Sequence, residues 1–160
     1  MQRKNKFNWQ LCLVLVIGVT WLIRIFVFDV VKVSGSSMLP TYEDGDMVFV
    51  KKSGYSIQRY DVIVVTGSEN GFSKNYIKRV IGLPGDVLQI RDGYVYVNGE
   101  RLEDVVNVKI ENPGAAEHEI LIDGYFVLGD NRNNSKDSRN EDFGVISNSE
   151  IFGKVISGGR

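Results

Sequence analysis

The sequence predicts an all-β domain behind one apolar N-terminal segment, and three observations carry that prediction. Seventeen glycines stand against three prolines in 160 residues, beside many Val, Ile, Tyr and Phe, a composition that suits strands with tight turns. Short β-branched runs recur between Gly, Ser and Asp, and no long helical period follows residue 30. Asp-Gly and Asn-Gly dipeptides sit between alternating apolar stretches, the strongest short-range hairpin signal. The expected architecture is a single domain over residues 30–160, built as folded-over antiparallel sheets or a partial barrel around one sizeable core.

Residues 1–29 read as a cytoplasmic tip and a transmembrane anchor. Arg3, Lys4 and Lys6 precede an apolar run from Trp9 to Phe28, interrupted by Gln10 and by Arg24 near its end. Such a run matches the roughly 20 residues a spanning helix needs if Arg24 snorkels to the far interface. Residues 23–28 offer no small-x-small cleavage site, so an uncleaved anchor is expected. The basic residues place the N-terminus in the cytoplasm and residues 30–160 outside. A buried amphipathic helix is the other reading of this segment. Cys12 lies inside it and excludes an internal disulfide, since the chain has no second cysteine.

Strands are expected at 30–33, 46–50, 61–65 and 75–81, then a hairpin of 87–91 and 94–97 around Asp92-Gly93, with a further tight turn at Asn98-Gly99. A second hairpin is expected from 119–122 and 125–128 around Asp123-Gly124, and a last strand over 151–156. The net charge of −1 supplies no basic face for nucleic acid.

Two stretches suggest chemistry. The first is Ser34-Gly35-Ser36-Ser37-Met38-Leu39-Pro40-Thr41, where Ser37 is the candidate nucleophile. Taken alone it reads as a plain turn, and a serine hydroxyl becomes nucleophilic only beside a base. The second is Tyr76-Ile77-Lys78-Arg79-Val80-Ile81-Gly82-Leu83-Pro84-Gly85-Asp86. Strand alternation puts Lys78 and Arg79 on opposite faces, so one basic residue points inward. If that residue is Lys78, desolvation lowers its pKa and makes a neutral amine available as general base. A solvated lysine on an edge strand is the other reading. With one histidine, His118, and one cysteine, a His-based triad is improbable and a four-ligand zinc site of such residues is unavailable. No metal or cofactor is expected.

These two blocks, together with Gly45-Asp46-Met47-Val48 and Gly129-Asp130-Asn131-Arg132-Asn133-Asn134-Ser135-Lys136-Asp137-Ser138-Arg139, occur in the order found in type I signal peptidases, and from the anchor to about Gly144 the chain resembles the single-span enzymes of Gram-positive bacteria. The resemblance implies Ser37 as nucleophile, with Ser34 and Ser36 as decoys, and Lys78 as general base. It implies that Arg79 belongs to the supporting structure, that Ser135 orients the lysine amine, and that Asp137 and Arg139 pair near the site. Without it, Asp130, Arg132, Asp137 and Arg139 read as a solvated polar loop. The implied activity is removal of signal peptides from exported preproteins at the membrane surface, through a Ser/Lys dyad and an acyl-enzyme, with preproteins and lipid as partners. Two departures stand out. Gly35 occupies the position where some members carry a serine that donates to the oxyanion, which leaves the Ser37 backbone N–H as the expected donor. Asn133 replaces a common aspartate. Two other functions fit parts of the pattern: a catalytically idle relative acting in assembly or as a chaperone, and a self-cleaving regulator of the repressor type. Retention of Ser37 and Lys78 counts against the first, and the anchor against the second.

Overall fold

A computed structural model of the chain describes residues 8–69 and 71–159, without the side chains of residues 23–25, 68, 69 and 72. Arg3, Lys4 and Lys6, and the side chain of Arg24, lie outside the described residues. Helix α1 spans Trp9–Phe26, and its described side chains are exposed, Cys12 included. Among the described residues, no helix is long and apolar enough to cross a membrane.

Ten strands follow among the described residues: β1 (Phe28–Lys32), β2 (Met47–Lys51), β3 (Val62–Glu69), β4 (Phe72–Gly82), β5 (Val87–Arg91), β6 (Tyr94–Val97), β7 (Glu100–Arg101), β8 (Ile120–Leu121), β9 (Phe126–Leu128) and β10 (Ile151–Gly158). They form a six-stranded sheet in the order β1-β2-β10-β3-β4-β9 and a four-stranded sheet in the order β7-β6-β5-β8, with every pairing antiparallel. The mostly β architecture is the one the composition predicts.

The turn chemistry explains the smaller sheet. Asp92 and Gly93 take φ of 54° and 83°, and Asn98 and Gly99 take 54° and 82°, the paired positive angles that let a two-residue connection follow the strand twist. One expectation fails. Residues 119–122 and 125–128 do not form a hairpin with each other: β8 pairs with β5, and β9 pairs with β4. Asp123-Gly124 turns the chain from one sheet to the other instead. Against these separate partners Ile122, Phe126 and Leu128 all enter the core that Leu88 and Ile90 share with Ile81.

A second cluster lies at the other end of the larger sheet, where Val48, Val50, Val62, Val64, Ile77 and Val155 pack around Val33 and Met38. Met38 is therefore a core residue. Its burial draws the segment between β1 and β2 onto the sheet, and the base of that segment is closed by Val33 N–H to Asp46 O (2.8 Å) and Gly45 N–H to Val33 O (3.0 Å). Ser37 is fixed by its neighbour's side chain.

A third cluster, Ile63, Val65, Val80, Val127 and Ile146, ties β3 and β4 to the chain's last third. Ile63 is fully buried, so Ile63→Ala should lower the unfolding free energy of the full chain in detergent by about 2–5 kcal/mol, read from the urea midpoint.

Candidate active site

Strand β4 brings both basic residues of its centre indoors. The alternation argument expected one of Lys78 and Arg79 to face inward, yet both are buried, as is every residue from Ile77 to Ile81. The strand is covered on both faces: Ile77 packs with Met38, Val62 and Val64 on one, and Val80 with Ile63, Val65, Val127 and Ile146 on the other. A central strand of this kind loses its inside-outside alternation.

Lys78 is 2% exposed, and its Nζ lies 2.8 Å from Ser37 Oγ and 3.0 Å from the backbone O of Ile77. Burial pulls its pKa down to about 8, against the opposing pull of Asp137 and Asp130. Both carboxylates are occupied elsewhere, which explains why burial prevails. Arg79 donates through Nε to Asp130 Oδ1 at 2.8 Å and through Nη2 to Asp130 Oδ2 at 2.6 Å, while its Nη1 donates to Tyr60 O at 2.8 Å. Thr41 Oγ1 also donates to Asp130, joining the nucleophile segment to the same pair. Arg139 holds Asp137 in the same two-pronged way, at 2.8 and 2.9 Å. Such forks satisfy both ions of a buried pair and fix their planes.

Residues 129–140 clasp the nucleophile turn. Asn131 N–H donates to Ser37 O at 3.0 Å, Asn131 Nδ2 to Ser36 O at 3.1 Å, and Asn134 Nδ2 to Ser36 Oγ at 3.3 Å. Gly129 is the hinge of this clasp: its N–H donates to Asp137 Oδ2 at 3.0 Å and its carbonyl accepts from Arg132 Nε at 3.0 Å. A Cβ there would overlap Ser135 Oγ and Ser37 O, so only glycine allows the approach. Arg132, wholly buried, is paired with Asp104 from the loop after β7. Gly35 takes φ of 86° and donates its N–H to Asp44 Oδ1, shaping the turn before Ser37.

The expected site residues Ser37, Lys78, Gly35, Arg79, Ser135, Asp137 and Arg139 thus fall in one region, with one correction. Ser135 makes no hydrogen bond to Lys78; its Oγ is buried and has no partner, although Ser135 lines the same cleft. Four of the five charged residues of the 129–139 segment are not a solvated loop, since Asp130, Arg132, Asp137 and Arg139 are all buried and paired. Sequence reasoning missed Asp130 as the partner of Arg79, and Asp104 and Thr41 altogether. The alternation of acid and base through a segment with no helical period was the available sign for the first. Asp104 and Thr41 carried none. His118 lies after a short 3-10 turn, outside the cleft. Asn133 bonds to the backbone of Lys109 and Glu111, a bridging task that needs both its donor and its acceptor and that aspartate could not perform alone.

The cleft encloses about 610 Å³. Val31, Val33, Met38, Tyr76 and Ile77 form an apolar wall, and Asn133, Asn134, Ser135, Lys136 and Asn140 a polar one. Beside it β4 has a free edge, since β9 pairs only with Arg79, Val80 and Gly82. A buried amine bonded to a serine hydroxyl beside an open cleft is equipped for acyl transfer.

Comparison with known proteins agrees with this chemistry. The family model described as "Signal peptidase, peptidase S26" matches residues 6–157. Signal peptidase I T of Bacillus subtilis (strain 168) is 35% identical, with 94% of this chain and 85% of that protein covered. Signal peptidase I of Bacillus licheniformis is 32% identical over 95% of this chain and 87% of its own length. The crystal structure of a signal peptidase I from Enterococcus faecalis V583 superimposes with a TM-score of 0.51 at 30% identity, covering 66% of this chain and 100% of the other. With the family model spanning nearly its whole length, the chain belongs to the signal peptidase family, peptidase S26.

Proposed function

We propose that this chain is a membrane-anchored type I signal peptidase, a serine endopeptidase that removes N-terminal signal peptides from exported preproteins with Ser37 as nucleophile and Lys78 as general base. The observation that carries this reading is the 2.8 Å approach of a buried Lys78 amine to Ser37 Oγ. In its neutral form Lys78 Nζ accepts the hydroxyl proton as Oγ attacks the scissile carbonyl carbon. The Ser37 backbone N–H then faces the oxyanion. The ammonium returns the proton to the departing amine, leaving the signal peptide as an ester on Ser37, and the regenerated amine takes a proton from the water that hydrolyses it. Arg79, Asp137 and Arg139 hold the frame. Ser135 lines the cleft beside them.

The same reading takes helix α1 as the anchor. Helix α1 presents Trp9, Leu11, Leu13 and its other described apolar side chains with no protein to cover them, a state suited to lipid. Its end is tied to the region after β2 by Ser53 Oγ to Phe26 O (3.0 Å) and Lys52 N–H to Val27 O (2.8 Å). Exposed Phe28 and Val30 of β1 and Met47 and Phe49 of β2 extend the apolar surface beyond the helix, Val30 directly opposite Phe49. Residues 1–29 then form the cytoplasmic tip and single span, and residues 30–160 the extracytoplasmic domain.

Two outcomes are expected. Ser37→Ala and Lys78→Ala should each abolish cleavage of a preprotein in detergent. In the unaltered enzyme, log kcat/KM should rise with pH and level off near 8, because only the neutral amine is a base. Asp137→Asn removes a carboxylate that raises the Lys78 pKa, so its limb should move to lower pH; a limb that moves up contradicts the assignment. For topology, protease added outside intact protoplasts should digest residues 30–160, whereas digestion only after lysis would reverse the orientation.

A further inference from the structure

The cleft is electrically lopsided. Among the described residues Lys32, Lys74, Lys78 and Lys136 line it and no Asp or Glu does, in a chain whose net charge is −1. Lys78 is consumed by the Ser37 pair, and Lys74 stands over the Tyr76 ring at 5.4 Å on the free stretch of β4. Lys32 and Lys136 differ from both, and of these two Lys136 stands next to Ser135 on the polar wall. It is exposed, and it makes no hydrogen bond or ion pair among the described residues.

The residue before it is tightly placed. A Cβ on Gly129 would touch both Ser135 Oγ and Ser37 O, so the residue just before Lys136 lies within one side chain's width of the nucleophile. The walls of the cleft also divide the substrate. Val31, Val33 and Ile77 lie along the strand edges, where the small and apolar signal-peptide end fits. The chain on the other side of the cut bond must then cross residues 133–140. At about 3.3 Å per extended residue, its second to fourth positions come within reach of a lysine ammonium there.

We propose that Lys136 is a specificity-determining residue that favours an acidic side chain among the first few residues of the mature segment, just after the cleaved bond. The proposal rests on the peptidase reading above. Among the described residues no carboxylate lines the cleft beside the ammonium, so a substrate carboxylate meets an unneutralised charge and a substrate lysine meets repulsion from the same point.

The test uses the full-length enzyme in detergent and preproteins identical except for Asp, Asn or Lys at the second or third mature position. At low salt the unaltered enzyme should favour Asp over Lys by about five-fold in kcat/KM, a ratio that shrinks towards one in about 0.5 M salt. Lys136→Gln should flatten the ratio and Lys136→Glu should invert it, with thermal unfolding confirming that both variants are folded. A ratio of one in the unaltered enzyme, or an Asp preference that persists in Lys136→Glu, overturns the proposal while cleavage of the Asn substrate leaves the peptidase reading standing. If the unaltered enzyme cuts no substrate, both fall together.

Discussion

A single amine kept out of water, 2.8 Å from a serine hydroxyl, is the constraint around which the rest of this fold is arranged. An ammonium moved from water to a protein interior loses its hydration, and the loss is tolerable only with a counter-ion or with the proton removed. The structure withholds the counter-ion. The carboxylates of Asp130 and Asp137, whose charges act on Lys78, are each gripped by an arginine fork, so their field reaches the amine without a direct bond. The outcome is a pKa of about 8 rather than a permanently charged pair. An amine so tuned is deprotonated often enough near neutrality to act as a base, yet basic enough to capture a hydroxyl proton.

The arginine forks carry a second role. Arg79–Asp130 joins β4 to the clasp, Arg139–Asp137 braces the clasp from within, and Arg132–Asp104 joins it to the loop after β7. Buried ion pairs contribute little net stability compared with apolar packing, but breaking one leaves a lone buried charge that costs several kcal/mol. They therefore penalise every arrangement in which the three segments are out of register. The hydrophobic clusters supply the stability and the forks set the geometry, with Met38 as the link that seats the nucleophile turn upon the core.

Much of this was legible in the sequence, because the decisive features were local. Strands, the two tight turns at Asp92-Gly93 and Asn98-Gly99, and the suspicion that a lysine in an apolar strand is a base all come from a few adjacent residues. The failures have a common cause. Asp123-Gly124 carries a hairpin signal, but β8 and β9 found better partners in different sheets, and no local pattern reports that competition. Alternation along β4 promised one inward basic residue, whereas the strand is covered on both faces and both are buried. Arg79 meets Asp130 across 51 residues and Arg132 meets Asp104 across 28, so the charges looked solvated until the fold brought them together. Ser135 was expected on the amine and instead rests against Gly129 with its hydroxyl unpaired.

The account stands on the protonation state of one side chain, and that can be observed without substrate. The protein should be labelled with lysine carrying 13C at Cε and 15N at Nζ, and its amine resonances followed by NMR from pH 6 to 11, with Lys78→Arg identifying the signal. One lysine titrating near 8, and absent from the variant, is the predicted result. A Lys78 signal that titrates with the ordinary lysines, near 10.4, would contradict it, because the amine would then be solvated or paired and could not serve as the base at neutral pH.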